Sequence, residues 1–228
     1  VDIILNAHVE RISHHENQVQ VHSEHAQLAV DALLIASGRQ PATASLHPEN
    51  AGIAVNERGA IVVDKRLHTT ADNIWAMGDV TGGLQFTYIS LDDYRIVRDE
   101  LLGEGKRSTD DRKNVPYSVF MTPPLSRVGM TEEQARESGA DIQVVTLPVA
   151  AIPRARVMND TRGVLKAIVD NKTQRMLGAS LLCVDSHEMI NIVKMVMDAG
   201  LPYSILRDQI FTHPSMSESL NDLFSLVK

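Results

Sequence analysis

The sequence NIWAMGDV, residues 73–80, contains a short apolar run that stops at Gly78 and Asp79. A strand that ends in Gly-Asp places a carboxylate at the carboxyl edge of a sheet, where open α/β folds bind their ligands. Gly78 would let a ligand approach the backbone closely, and Asp79 could accept hydrogen bonds from sugar-like hydroxyls. On its own, however, Gly-Asp after an apolar run is more often an ordinary turn.

A second apolar run, residues 28–38, lies upstream and reads LAVDALLIASG. Because this run is nearly continuous, it predicts a strand that is covered on both faces in a parallel sheet. The run ends at Gly38, after which Arg39 offers a forked donor and Pro41 stiffens the exit. A plain strand-to-loop junction would also explain these three residues.

The rest of the first half predicts a hairpin and one long helix. Residues 9–13 and 19–23 have the composition of strands and are joined by a polar turn. The helix should begin near Gln85 and stop at Gly103. The charge-rich residues 104–114 are typical of an interdomain linker. The apolar side chains of the helix fall roughly on one face: Ile89, Tyr94, Ile96, Val97, Leu101 and Leu102.

Beyond this linker the pattern predicts strands backed by helices, which is an α+β unit. Short strands flank Pro123 and Pro124, and Thr131 with Gln134 forms a capping box before a short helix. Two further β runs, GVLKAIVD and RMLGASLLC, precede a helix. The apolar residues of that helix are Met189, Ile192, Val193, Val196 and Met197. Two more helices are expected at residues 204–210 and 215–227.

Composition and charge argue against several classes of protein. The chain has 228 residues and a formal net charge of -7. Because it has no basic stripe, we expect no nucleic-acid partner. No apolar run approaches about 18 residues, so we expect no membrane partner. Cys183 is the single cysteine and cannot form an intrachain disulfide, so a reducing cytoplasm is the expected compartment.

Near the carboxyl end, residues 211–219 read FTHPSMSES and contain a second candidate site. His213 could act as an acid–base group, and a carboxylate from Glu218 on one ring nitrogen would fix its tautomer. Alternatively, Ser215 and Glu218 form a capping box for the last helix, and His213 is an ordinary residue ahead of it. The local sequence supports both interpretations equally.

Four segments in this order resemble the flavin-dependent pyridine nucleotide-disulfide oxidoreductases of class I. ALLIASGRQPAT is similar to the crossing from the nicotinamide-nucleotide domain to the flavin domain, and NIWAMGDV is similar to the second flavin motif. YSVFMTPPLSRVGMTEEQA resembles the opening of the dimerisation domain, and HPSMSES resembles the signature of the active-site base. The implied fold is α/β followed by α+β. The implied domains are the tail of an NAD(P)-binding domain (residues 1–37), the end of an FAD-binding domain (38–112) and a dimerisation domain (113–228).

The resemblance also implies a cofactor role for six residues. Asp79 would hydrogen-bond the ribityl chain of FAD, and Gly78 would give it room. Gly38 would lie near the nicotinamide nucleotide. The backbone along the flavin would belong to Gln85, Phe86 and Thr87.

A catalytic role is implied for two residues in the same way. His213 would be the base beside a redox-active thiol, Glu218 would orient it, and in a homodimer it would reach into the active site of the other subunit. The peptide bond before Pro214 would be cis.

In the whole enzyme, a hydride from NAD(P)H would pass to the flavin, and electrons would then pass through a cysteine pair to a disulfide or to a metal ion such as copper. The resemblance implies that the cysteine pair, the first flavin motif and the nucleotide loop belong to a segment upstream of Val1. The chain also begins on an apolar run that is already under way, which predicts a cut inside a domain. We therefore expect this fragment to hold FAD poorly and to be inactive alone.

The electron acceptor is left open by the sequence. QFTYIS, residues 85–90, is more similar to mercuric reductases than to dihydrolipoyl dehydrogenases, in which a histidine takes the place of Tyr88. The terminal NDLFSLVK lacks the vicinal cysteine pair of mercuric reductases. The chain resembles most the mercuric reductase-like branch, which includes bacterial relatives linked to reactive-chlorine resistance. The alternative to an enzyme is a non-catalytic dimerisation module, in which the apolar helix face at residues 189–197 pairs with a copy of itself.

Five histidines near the amino end invite a metal-binding interpretation, since imidazole is a good ligand for copper and zinc. However, no fixed spacing directs them at a common centre, so a solvated hairpin edge is favoured and no metal site is predicted. These residues are His8, His14, His15, His22 and His25.

Overall fold

The computed structural model describes residues 1–24 and 26–228, and the chain divides into an amino-terminal unit, residues 1–103, and a carboxyl-terminal unit, residues 104–228. The first unit opens with three antiparallel strands in the order β1-β2-β3. These are β1 (Val9–His15), β2 (Gln18–Ser23) and β3 (Gln27–Val30). The predicted hairpin is therefore confirmed, and Ile12 lies opposite Val21 in its register.

The parallel strand predicted for residues 28–38 is wrong. Only its first residues belong to β3, which pairs antiparallel with β2. Leu33, Leu34 and Ile35 have no regular structure and are exposed, Leu34 by 88%. A strand that is apolar on both sides needs parallel neighbours and a covering layer on each face. Among the described residues of this unit, the only sheet is the antiparallel β1-β2-β3, so residues 33–35 have no parallel strand beside them.

The segment before the long helix is mostly irregular. The strand predicted for NIWAMGDV is reduced to an isolated bridge between Trp75 and His68, followed by a 3-10 turn at Gly78–Thr81. The helix α1 (Thr87–Leu102) is confirmed and ends at Gly103. Its apolar face is narrower than predicted, because Ile89, Ile96 and Val97 are buried whereas three others are exposed. The exposed residues are Tyr94, Leu101 and Leu102.

A five-stranded antiparallel sheet forms the carboxyl-terminal unit, in the order β4-β5-β8-β7-β6. The strands around the two prolines and the two later β runs are confirmed; β6 was not predicted. The strands are β4 (Tyr117–Val119), β5 (Leu125–Gly129), β6 (Ile142–Pro148), β7 (Val164–Asp170) and β8 (Met176–Leu182).

Helices pack on this sheet and confirm the α+β prediction. In the predicted capping box, Thr131 Oγ1 accepts from the Gln134 amide at 3.0 Å and Gln134 Oε1 accepts from the Thr131 amide at 2.9 Å. The last two helices are shorter than predicted. The helices are α2 (Glu132–Glu137), α3 (Pro153–Val157), α4 (Ser186–Asp198), α5 (Ser204–Asp208) and α6 (Ser219–Ser225).

The apolar face of α4 faces the core of its own unit. Met189 and Val193 are fully buried and belong to one cluster with Leu165, Leu181 and Phe224. Each such side chain contributes about 1.5–3 kcal/mol to the stability of the unit. The predicted pairing of this face with a second copy is therefore wrong, because the core already covers it.

Candidate functional site

Gly78 is the first residue of a tight 3-10 turn, Gly78–Thr81, and its backbone conformation favours glycine. Gly78 has a φ of +78°, and a Cβ there would lie 2.9 Å from Ser90 Oγ. The turn closes at Gly82, whose amide donates to the carbonyl of Asp79 at 3.1 Å. The positive φ strains the backbone of any residue that carries a Cβ, and a Cβ there would also require the Ser90 side chain to move, so both features favour glycine at position 78.

Behind this turn lies Asp93, a residue of α1 that is 2% exposed. Its Oδ2 accepts the amide hydrogen of Gly78 at 2.7 Å in a buried hydrogen bond. Asp93 was not predicted from the sequence as a functional residue. It could have been found because it places a carboxylate on the apolar helix face that Ile89, Ile96 and Val97 define. A charged side chain on a buried face almost always has a bonding partner.

In front of the turn, Arg39 connects two of the predicted cofactor residues. Its Nη1 donates to Asp79 Oδ2, and its Nη2 donates to the carbonyl of Gln85 at 3.3 Å. The Arg39 side chain is 64% exposed and that of Asp79 is 46% exposed, so solvent screens this ion pair to about 0–1 kcal/mol. Arg39 thus links Asp79 to Gln85, and Gly38 directly precedes Arg39 in the chain. From the sequence, Arg39 was predicted only as a forked donor.

The start of α1 carries the other two predicted cofactor residues. Phe86 occupies the N-cap without a side-chain hydrogen bond, and Thr87 is the first helical residue. The rings of Phe86 and Tyr88 are stacked, with 5.0 Å between their centroids and an interplanar angle of 9°. Burial raises the pKa of the Tyr88 hydroxyl above its ordinary value, so the hydroxyl remains a hydrogen-bond donor further into the alkaline range. An open cavity of about 490 Å³ adjoins this region, and its lining includes Arg39, Gln85 and Gly82.

In the carboxyl-terminal unit, His213 and Glu218 form a close pair. His213 Nδ1 lies 2.8 Å and 3.0 Å from the two carboxylate oxygens of Glu218. Because a carboxylate only accepts, Nδ1 carries a proton, and the other ring nitrogen, Nε2, is available for proton exchange. The His213 side chain is 66% exposed and that of Glu218 is 30% exposed. The peptide bond between His213 and Pro214 is cis, as predicted.

The alternative capping box is only half formed. Ser215 Oγ accepts from the amide of Glu218 at 3.2 Å, while the carboxylate of Glu218 contacts the imidazole of His213. The helix α6 begins one residue later, at Ser219. The Glu218 carboxylate is therefore bonded to the histidine, and only its backbone amide takes part in the cap.

Two family models together match most of the chain. The pyridine nucleotide-disulphide oxidoreductase model matches residues 1–93, and the dimerisation-domain model of the same family matches residues 115–224. The chain belongs to the pyridine nucleotide-disulphide oxidoreductases. This confirms the family resemblance and the mixed α/β fold class. Members of the family use FAD and NAD(P)H.

Several curated relatives of this oxidoreductase chain are mercuric reductases. It is 35% identical over 202 residues to that of Staphylococcus aureus, covering 89% of this chain and 37% of the relative. It is 33% identical over 224 residues to that of Bacillus cereus, covering 96% of this chain and 35% of the relative. The chain thus spans little more than a third of the length of these relatives.

A solved structure supports the fold of this family member. The crystal structure of LpdA from Mycobacterium tuberculosis superposes with a TM-score of 0.86 at 23% sequence identity. The match covers 98% of this chain and 49% of that chain. At this identity the likeness concerns the fold alone.

Cys183 is a core residue of this oxidoreductase chain, as the sequence analysis favoured. It is fully buried in the carboxyl-terminal unit, and its Sγ lies 3.9 Å from Met189 Sδ. Burial raises the pKa of the Cys183 thiol to about 12, and the charge of Asp185 adds to this. Since the thiolate is the reactive form, Cys183 is unsuited to thiol-disulfide exchange.

The described amino-terminal histidines do not form a ligand cluster. His22 Nε2 lies 3.2 Å from both Arg11 Nη2 and Ser13 Oγ, so a guanidinium stands beside it. No group of three or more His, Cys, Asp or Glu with metal-binding geometry occurs among residues 1–24 and 26–228. His25 lies outside the described residues. Over the same part of the chain, no helix combines the length and the apolar character that spanning a bilayer requires.

Proposed function

We propose that this chain is the carboxyl-terminal part of an FAD-dependent NAD(P)H oxidoreductase in which His213 is the acid–base group and Glu218 orients it. The observation that carries the proposal is the bidentate contact of His213 Nδ1 with both oxygens of Glu218, combined with the exposure of the imidazole. A surface histidine that is held in one orientation by a carboxylate presents its other nitrogen to a partner that arrives from solvent.

The chemistry of His213 follows from this geometry. With a proton held on Nδ1, Nε2 can accept a proton from a thiol and return it later in the cycle. Glu218 stabilises the imidazolium during the interval, because its carboxylate faces the protonated ring. His213 therefore holds the proton that a dithiol loses when it becomes a thiolate.

The residues around Gly78 fit a bound FAD. The glycine leaves no Cβ between the turn and Ser90, and the half-exposed carboxylate of Asp79 can accept hydrogen bonds from ribityl hydroxyls. The start of α1 adds the backbone of Gln85, Phe86 and Thr87, at the positive end of a 16-residue helix. When bound, FAD supplies the transfer of electrons between NAD(P)H and the acceptor.

The proposed domain limits follow those of the sequence analysis. Residues 1–37 close the NAD(P)-binding domain, and Gly38 then lies near the nicotinamide nucleotide. Residues 38–112 close the FAD-binding domain, and residues 113–228 form the dimerisation domain. The remaining two thirds of the relatives' length would supply the first flavin motif and the cysteine pair, so the chain alone is proposed to be inactive. One buried thiol supports a reducing cytoplasm as its compartment.

The proposed electron acceptor is a disulfide or a metal ion such as copper. The mercuric reductases among the relatives support a metal-ion acceptor, and the retained His213–Glu218 pair supports the chemistry of a dithiol. The two acceptors are separated by measuring NAD(P)H oxidation in the full-length protein with a disulfide or with Cu(II) as the electron sink.

The carboxyl-terminal unit is proposed to form a homodimer. The name of the matching model, a dimerisation domain, supports this proposal. Phe120 is 78% exposed and Ile210 is 94% exposed, so they are large apolar side chains that a second copy could cover. Phe120→Asp should convert the full-length protein to monomers in sedimentation velocity, while the control Lys172→Asp, at an exposed polar position, should leave it dimeric. A dimer that persists in Phe120→Asp and in Ile210→Asp would remove these residues from the interface.

The catalytic proposal is tested in the full-length protein with a matched pair of histidine variants. His47 Nδ1 also faces a glutamate, Glu49, at 3.3 Å on an exposed surface, so His47→Asn controls for the loss of a surface histidine beside a carboxylate. His213→Asn should lower turnover by about 10²- to 10⁴-fold, the range for a lost acid–base group, and His47→Asn should not. Reduction of the flavin by NAD(P)H, followed by stopped-flow absorbance, should be unchanged in both variants. Equal turnover in wild type and His213→Asn would refute the role of His213.

A further inference from the structure

The buried carboxylate of Asp93 has no part in the function proposed above, yet it is hydrogen-bonded directly to the Gly78–Asp79 turn. We propose that Asp93 is a positioning residue: by accepting the amide hydrogen of Gly78, it fixes the orientation in which Asp79 meets the flavin nucleotide. This inference rests on the proposed function, because it assumes that Gly78 and Asp79 hold FAD.

The hydrogen bond to Asp93 is made by the first residue of the turn. The amide of Gly78 donates to Asp93 Oδ2 at 2.7 Å, a short distance for such a bond, and the contact is buried. Gly78 is the first residue of the 3-10 turn, and its φ of +78° sets the direction in which the chain continues into Asp79. The bond holds the Met77–Gly78 peptide plane, to which this amide belongs. Together with the φ of Gly78, that plane sets where the chain enters Asp79.

The second step is the cost of placing a carboxylate there. Asp93 lies on the apolar face of α1 and is 2% exposed, so its burial is unfavourable unless hydrogen bonds compensate. An apolar residue would be the inexpensive choice on a face that Ile89, Ile96 and Val97 share. A local rule broken in this way, next to a candidate ligand site, is typical of a residue kept for function.

The third step is the second support of the same turn. Arg39 holds the Asp79 carboxylate from the solvent side and reaches the carbonyl of Gln85. Because both residues of that ion pair are exposed, solvent weakens it, whereas the bond from Gly78 to Asp93 is protected from water. We therefore assign the greater part of the positioning to Asp93.

The test compares four variants of the full-length protein. Asp93→Ala and Asp93→Leu both remove the acceptor oxygen. Alanine leaves a smaller side chain and leucine an apolar one of larger volume, so at least one of the two variants should fold and be available for measurement. Asp93→Asn keeps an acceptor oxygen, and Asp92→Leu removes the neighbouring carboxylate of α1. For each variant the dissociation constant of FAD is measured by fluorescence titration of the apoprotein, together with the visible spectrum of bound flavin and the unfolding temperature.

Loss of the acceptor should weaken FAD binding by about tenfold to a hundredfold, the equivalent of an unmade hydrogen bond to a charged group. The flavin spectrum should shift in Asp93→Ala and Asp93→Leu. Asp93→Asn should restore binding to within a few-fold of wild type, and Asp92→Leu should match wild type.

Two results would overturn the inference. If Asp93→Ala or Asp93→Leu lowers the unfolding temperature but binds FAD with the wild-type affinity and spectrum, Asp93 is only a structural residue of α1. If the wild-type apoprotein itself fails to bind FAD, the proposed function fails and this inference fails with it. The first result leaves the proposed function intact, so the two failures are distinguishable.

Discussion

Cys183, the single thiol of the chain, should resist alkylation at pH 8 for as long as the protein is folded. Burial raises its pKa to about 12 from an ordinary value of 9.0. At pH 8 the thiolate is then present in about one molecule in 10⁴, against about one in ten for an ordinary cysteine, a difference of about a thousandfold in rate. Full burial of the side chain adds the requirement that the carboxyl-terminal unit must first open.

The assay is iodoacetamide labelling, followed by mass spectrometry of the peptide that contains Cys183. Folded protein should label at least a thousandfold more slowly than protein in denaturant, and the Cys183→Ala variant should show no label. Labelling of folded and unfolded protein at rates within tenfold of each other would contradict the buried, protonated thiol. It would also make Cys183 a candidate for electron transfer and weaken the proposal that a cysteine pair elsewhere performs this step.

Three further predictions concern the stability of the carboxyl-terminal unit. Leu223→Ala should lower the free energy of unfolding by about 2–5 kcal/mol, because the side chain is fully buried, whereas the control Leu226→Ala, at an exposed position, should cost less than about 1 kcal/mol; equal losses in urea titrations would contradict the core assignment. Thr131→Ala removes the N-cap of α2 and should cost about 1 kcal/mol, so an unchanged urea midpoint would contradict the capping box. The Lys166 ammonium lowers the pKa of Glu132, so the stabilisation is present above pH 4.5, the ordinary value, and is lost as the pH falls through the lowered pKa. The unfolding temperatures of wild type and Glu132→Gln should therefore differ at pH 7 and converge on acidification, and a gap that grows instead would refute the ion pair.

Much of the carboxyl-terminal unit could be predicted from the sequence, because its elements bury their apolar faces against one another. The helical spacing of Met189 and Val193 gave α4 correctly, and the core of the same unit covers it. The His213–Glu218 pair was also within reach, since its members are five residues apart and only the direction of the carboxylate was undecided. What the sequence did not predict correctly there was the partner of the α4 face, because periodicity does not distinguish an internal core from an interface.

The amino-terminal unit was harder to predict for a physical reason. The apolar residues 33–35 have the composition of a strand buried on both faces, but the described residues provide no sheet and no helices to bury them. The Gly78–Asp79 turn was identified, whereas the residues that hold it were missed. Arg39 is 40 residues from Asp79, and Asp93 is 15 residues from Gly78, and no local pattern encodes contacts across such separations.

The most direct test of the account is a structure of the full-length protein with FAD, in which the distance from His213 Nε2 to the nearest thiol is measured. We expect that atom to lie within about 4 Å of a cysteine sulfur of the other subunit, with Nδ1 still bonded to Glu218. An imidazole that lies more than about 10 Å from every cysteine of both subunits is far beyond the reach of proton transfer, and it would contradict the proposed role of this chain.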